Sequence, residues 1–241
     1  MATNTNPNPH KSDDPSPAAP ANAEGQWPGA FTAFAGAFDQ LKKNPQPALL
    51  FLGVYAVLAI ISSVGQDDVS YFSTERWNYE DILYLVFLLA LPVYGFALAD
   101  RKVISLSEFM RFDATKYFTL LGALLLFALV IFGSALLLLV PLIWTVAWFS
   151  LIPYAVVDKG TGVIGAFKES KRLARNHKAK VWGAIGVTVL YSIIATLFAV
   201  IPYIGSVAIA FVTLLSWGAF AILYRWLQQN DKSLADGQVQ V

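Results

Sequence analysis

The side chains of this chain that could act as acids, bases or nucleophiles are few, and most are poorly placed for it. Cys is absent, which removes thiolate nucleophiles, thiolate metal sites and disulfides together. The two histidines, His10 and His177, lie far apart and outside the apolar segments, so no His pair there can chelate zinc. Asp67, Asp68, Glu75, Glu80 and Asp81 crowd residues 65–81, the composition of a general acid–base pair or a cation site. So short a segment cannot enclose a dry pocket unaided, and solvated charge that fixes topology is the simpler reading. Ser134, Thr145, Ser150, Thr188, Ser192, Thr196, Thr213 and Ser216 lack an adjacent base and read as hydrogen-bonders within a helical bundle. The apolar segments hold no Asp, Glu, Lys, Arg or His, the residues that mark ion pathways, proton relays and substrate sites in membranes. The reading is a non-enzyme with no catalytic residue, no metal and no cofactor. No Gly-rich phosphate loop and no aromatic-interleaved basic surface for nucleic acid is present.

One cluster does invite a ligand. Between Asp158 and Lys180 stand seven Lys and Arg, and at 100° per residue they sort cleanly. Val163, Ala166, Phe167, Ser170, Leu173 and Ala174 share one arc of a helix; Lys168, Lys171, Arg172, Arg175 and Lys178 share the next. A basic amphipathic helix of this kind suits an anionic lipid surface, at about 1 kcal/mol per Lys or Arg. The same charges also serve simply to fix topology, and the spacing does not separate the two readings. Asp158 at the helix entrance and Ser170 on its apolar side make it an elbow between neighbouring segments.

The elements that must position this helix are apolar and long. The chain is 56% hydrophobic and 14% charged, with a mean hydropathy of +0.55, against about 25% charged in soluble domains. Several stretches run for about 18 or more residues without charge, enough to cross a ~30 Å hydrocarbon core as helix. The 41 residues Tyr117–Val157 carry no charge and are too long for one crossing, so Pro141 is expected to open a second span. Pro202, in Pro-Tyr-Ile-Gly, marks the corresponding turn between two later spans. The predicted fold class is all-α: a polytopic bundle with spans over about 48–64, 82–99, 117–138, 141–157, 181–201 and 205–224. Residues 1–28, rich in Pro, Asn and Ser, read as a disordered tail with no secretory signal, residues 29–228 as the membrane domain, and 229–241 as a short second tail. Phe31, Phe34, Ala35, Phe38 and Leu41 recur at helical spacing, so 29–43 reads as an amphipathic helix at the interface or as an extension of the first span.

Charge asymmetry orients the bundle. With six spans, sixteen of the 17 Lys and Arg fall in the segments on one side, and Arg76 alone is left for the other. By the positive-inside rule, both termini and the Asp158–Lys180 helix are cytoplasmic and the protein is multi-pass in the cell membrane. Each hairpin is preceded by an amphipathic piece, at 29–43, at 105–112, where Ser105 and Glu108 fit a capping box, and at 162–177. This is compatible with three similar units, although Pro at a helical turn needs no repeat.

Pro141 opening a span, then Ile152-Pro153-Tyr154-Ala-Val-Val-Asp158, then Gly162-Val-Ile-Gly-Ala166-Phe-Lys-Glu-Ser170-Lys-Arg-Leu173, and finally Leu223-Tyr224 before a basic residue, resemble the YciC-like bacterial inner-membrane family. The related membrane domain attached to some glycerophosphoryl diester phosphodiesterases is similar. The likeness covers about residues 29–228 and departs at Asp158, where the family usually has Glu. It implies six helices and no established activity. The diesterase chemistry is not implied, because those enzymes carry it in a separate soluble barrel of ~250 residues. The expected function is a non-enzymatic membrane module in envelope or lipid homeostasis, or a scaffold, with membrane lipids, anionic ones included, a membrane protein or a second copy of the chain as partner. The alternative is a small transporter or channel for a neutral or amphiphilic solute.

Overall fold

A computed structural model describes residues 27–64, 87, 90–109, 111, 113–137, 139–198 and 204–237. The described elements are all helical: α1 (Ala30–Lys43), α2 (Pro45–Val64), α3 (Ala90–Ala99), α4 (Leu106–Phe109), α5 (Ala114–Leu137), α6 (Leu139–Phe149), α7 (Ile152–Lys159), α8 (Val163–Asn176), α9 (Lys178–Leu197) and α10 (Ile204–Gly237). Most of the expected N-terminal tail, the carboxylate-rich segment 65–81, much of the span 82–99 and the turn at Pro202 lie outside the described residues.

Three of these helices are long and apolar enough to cross a membrane: Ala114–Ser134 within α5, Lys178–Leu197, and Val207–Asp231 within α10. Large apolar side chains point outward along them, among them Phe118, Leu125, Leu129 and Phe132 on α5 and Val189, Ile193 and Leu197 on α9. Such surfaces are those of a membrane protein, since water would oppose them and acyl chains do not.

The 34-residue α10 is the axis of the fold, with α3, α1, α9 and α2 packed on it. Two glycines set how close they come. A Cβ on Gly95 would lie 2.7 Å from the Trp217 carbonyl oxygen, and one on Gly218 would lie 2.8 Å from both Ala37 Cβ and Leu98 Cδ1. Small residues at such crossings let backbones approach and gain dispersion contacts. The expected tail at 229–241 begins as helix, because α10 continues to Gly237.

Helix α1 departs from the expected interfacial face. Its buried residues are Ala33, Phe34, Ala37 and Leu41, with Phe34 against Tyr191 and Ala37 at Gly218. Phe31 and Phe38 are exposed. The apolar arc therefore divides: Phe34 packs on α9, Phe38 meets Phe211 of α10 edge-on at 6.1 Å while staying partly exposed, and Phe31 faces outward. Trp27, placed by the sequence in the tail, is docked edge-on against Trp226 at 5.5 Å.

The single helix expected over 141–157 is two helices. Pro141 lies in the first turn of α6, where a missing N–H costs nothing. Pro153 cannot donate to the carbonyl of Phe149, so the helix stops, Leu151 adopts φ −97°, ψ 2°, and α7 restarts with Pro153 in its first turn. The break at Leu151 and Ile152 is fully buried. Both arms lead from it toward basic residues: Trp144 and Trp148 of α6 lie under Lys178 and Lys171, while Lys116 donates to the Val157 carbonyl at the end of α7. The pair is a kinked helix whose apex, at Leu151 and Ile152, is buried, and Thr145 on its first arm meets Ser134 near the far end of α5 at 3.3 Å.

The first and third amphipathic pieces repeat. α1 and α8 each have 14 residues, α2 and α9 each have 20, and single hinge residues with near-identical φ join them, Asn44 at −130° and His177 at −127°. Position for position, Gly29, Ala33, Phe34, Gly53 and Val54 match Gly162, Ala166, Phe167, Gly186 and Val187. The middle piece is only the four-residue α4. There Ser105 Oγ accepts from the Glu108 N–H at 3.2 Å, while the Glu108 carboxylate accepts from Lys102.

Candidate functional site

The polar groups gather at the end of the bundle where α3 and α7 stop. α3 closes in a Schellman turn, with the Lys102 N–H bonded to Ala97 O and the Arg101 N–H to Leu98 O. Arg101 there takes the left-handed conformation, φ 55°, usually left to Gly. α7 closes at Gly160, which is left-handed at φ 58° and donates to Val156 O. Each helix thus ends in a carboxylate, Asp100 or Asp158, added to the negative end of its own dipole. The compensation is Arg225 of α10. Its Nε and Nη2 donate to Asp100 at 3.0 and 2.8 Å, and Nη1 donates to Asp158 at 2.7 Å. Its guanidinium lies over the Phe96 ring at 4.4 Å. Gln228 Nε2 donates to Asp158 at 2.7 Å and to the Tyr224 hydroxyl at 3.0 Å. Beneath, Tyr154 and Tyr224 stack at 5.9 Å and Phe96 packs edge-on against both.

Sequence reading placed Asp158 at an elbow but took Arg225 only as a topology-setting charge and Asp100 as a loop residue. The available signal was that both acids end a helix carrying a Pro and a Tyr, Pro92-Val-Tyr94 and Pro153-Tyr154.

The elbow itself is built on α8. Ala166, Ser170, Leu173 and Ala174 are its buried face, with Phe167 against Phe149 at 4.8 Å, and the Ser170 hydroxyl donates to the Trp148 carbonyl at 2.7 Å. Of the five predicted contact residues, Arg172 is engaged by Glu169 and Asp231, and Glu169 also pairs with Lys159. The Arg172 hydrogen bond, against an opposing burial effect and with help from Lys159, holds the Glu169 carboxyl below its usual value. Lys171 and Lys178 lie over Trp148 and Trp144 at 4.9 and 4.4 Å. Lys168 and Arg175 are exposed. Beside them Lys180 covers Trp226 at 3.8 Å, and burial, with the charge of Lys180, holds the His177 imidazole below its usual pKa. Pro141 sits far along α6 from this elbow. Among the described residues no group of His, Asp and Glu could hold a metal ion.

A second feature lies deeper, between the α6–α7 apex, α9 and α10. It is a cavity of about 250 Å³ lined by Ser150, Tyr154, Thr188, Ser192, Thr213 and Ser216 with Val212, Trp217 and Phe220. Sequence reading treated these hydroxyls as bundle hydrogen-bonders, and most are: Thr188 donates to Ala184 O, Thr213 to Ile209 O and Ser216 to Val212 O. What it did not anticipate is their convergence on one space.

Comparison of the chain with protein-family models, with curated proteins and with solved structures returns no match. The site is therefore read from its own geometry.

Proposed function

We propose that this chain is a non-enzymatic, multi-pass module of the cell membrane whose α8 face holds anionic lipid headgroups at the cytoplasmic side. The six apolar segments enter the bilayer as three hairpins, the fourth segment as the bent α6–α7 pair, and both termini lie with α8. The resemblance to the YciC-like family belongs to this proposal as an architecture.

The observation that carries it is the row of Lys–Trp pairs, Lys171 on Trp148, Lys178 on Trp144 and Lys180 on Trp226, beside the exposed Lys168 and Arg175. Trp concentrates at headgroup level, and Lys lays its stem along apolar surface while its ammonium reaches toward the phosphates. Charge that only fixed topology would need no such alignment. Arg172 is already neutralised by Glu169 and Asp231, so the free capacity rests on Lys168, Lys171, Arg175 and Lys178.

Native mass spectrometry from nanodiscs of equal phosphatidylglycerol and phosphatidylcholine tests this. The unaltered chain is expected to retain the anionic lipid preferentially, and Lys168→Glu with Arg175→Glu to lose that preference by about fivefold per charge, from about 1 kcal/mol each. Equal retention of both lipids by the unaltered chain would contradict the proposal.

A further inference from the structure

The hydroxyl-lined cavity has a chemistry of its own. The protons of Thr188, Thr213 and Ser216 are committed to backbone carbonyls at 3.0, 2.9 and 2.8 Å, that of Ser150 to Ala147 O at 3.3 Å, and the Tyr154 hydroxyl to Trp217 O at 2.7 Å. A hydroxyl that has donated its one proton still has lone pairs to offer. These side chains therefore present acceptors, and a ligand that meets them must bring the donor. None of the lining residues is charged, so the ligand is neutral.

Depth and shape narrow the class. Thr188 stands ten residues along α9 from Lys178, and Ser216 nine residues before Arg225, which at 1.5 Å per residue is roughly 15 Å from the basic end, half of a ~30 Å core. Ser192 at the rim is exposed, flanked by the exposed Val189 and Ile193 of α9, so the mouth opens on an apolar surface that lipid would cover. A volume of about 250 Å³ accommodates about eight methylene-sized groups at ~30 Å³ each, the volume of a water molecule in the liquid.

We infer that the cavity between the α6–α7 apex, α9 and α10 binds a neutral single-chain lipid with a hydroxyl head, a long-chain alcohol entering from the bilayer. The head donates its one proton to the Thr188 or the Ser216 hydroxyl, and the first part of the chain lies against Val212, Trp217 and Phe220. A hydroxyl in hydrocarbon has no partner, which costs it free energy, and this cavity supplies one.

Photolabelling of the full chain in nanodiscs with a diazirine-bearing long-chain alcohol, followed by mass mapping, tests the inference. Adducts are expected on the lining residues of α9 and α10. Dodecan-1-ol should displace the label at about fivefold lower concentration than 1-methoxydodecane, which keeps the chain and loses the donor, as one net hydrogen bond implies. Thr188→Val with Ser216→Ala, which remove only the acceptors and local bonds, should abolish this preference with helicity unchanged. Equal displacement by alcohol and ether overturns the inference without any variant. Adducts spread equally over the exposed α5 face, or a preference surviving both substitutions, overturn it too.

Discussion

Arg225 spans two helix ends that would otherwise repel. Asp100 and Asp158 each sit at the negative pole of a helix, and the fork of one guanidinium matches both. Its side chain is 33% exposed, so water softens the loss, and Arg225→Ala is expected to cost about 2–3 kcal/mol, the scale of hydrogen bonds to charged groups. Arg225→Lys keeps the charge without the fork and should recover only part; thermal unfolding in detergent measures both. Glu169 makes a pH prediction. Its folded value lies below the ordinary 4.5 because of Arg172 and Lys159, so its contribution is complete above that value and is lost as pH falls through the folded one. The unaltered chain should therefore lose more stability than Glu169→Gln on acidification below about pH 4.5, read as the pH dependence of the unfolding midpoint; parallel curves would refute the linkage. The sequence shows these residue types but not their meeting, because Asp100, Asp158 and Arg225 lie on three helices and only tertiary packing joins them.

At the scale of elements, the crossings on α10 depend on absent side chains. Gly95→Ala places a methyl group 2.7 Å from a backbone oxygen that cannot rotate away, and overpacking of this kind costs about 1–3 kcal/mol. Gly133→Ala meets nothing within 4 Å and gains helix propensity, so it should leave stability unchanged or slightly higher. Equal effects of the two in the same unfolding assay would mean that α3 and α10 do not approach as described. Helix periodicity made α8 legible to within a residue, since its buried and basic arcs are both explicit in the sequence. It did not show how the apolar arc of α1 divides, because Phe31, Phe34 and Phe38 have the same polarity and only tertiary packing, Phe34 on Tyr191 and Phe38 on Phe211, separates them. The α6–α7 break was hidden for a similar reason. Pro153 announces a possible kink, but an uncharged run does not say whether the chain bends or continues.

At the scale of the molecule, the proposed lipid boundary runs between the apolar exposure of α5 and α9 and the Lys–Trp row. The absence of Cys makes accessibility a direct measurement, because any introduced thiol is unique. Single cysteines at Lys168 and Arg175 on α8, with Ser192 on the exposed apolar side of α9 as the control for a position facing acyl chains, would be treated with a membrane-impermeant maleimide in intact cells and in inside-out vesicles. The account predicts that positions 168 and 175 react only in the inside-out vesicles and that position 192 reacts in neither. Labelling of 168 or 175 from outside intact cells would contradict it.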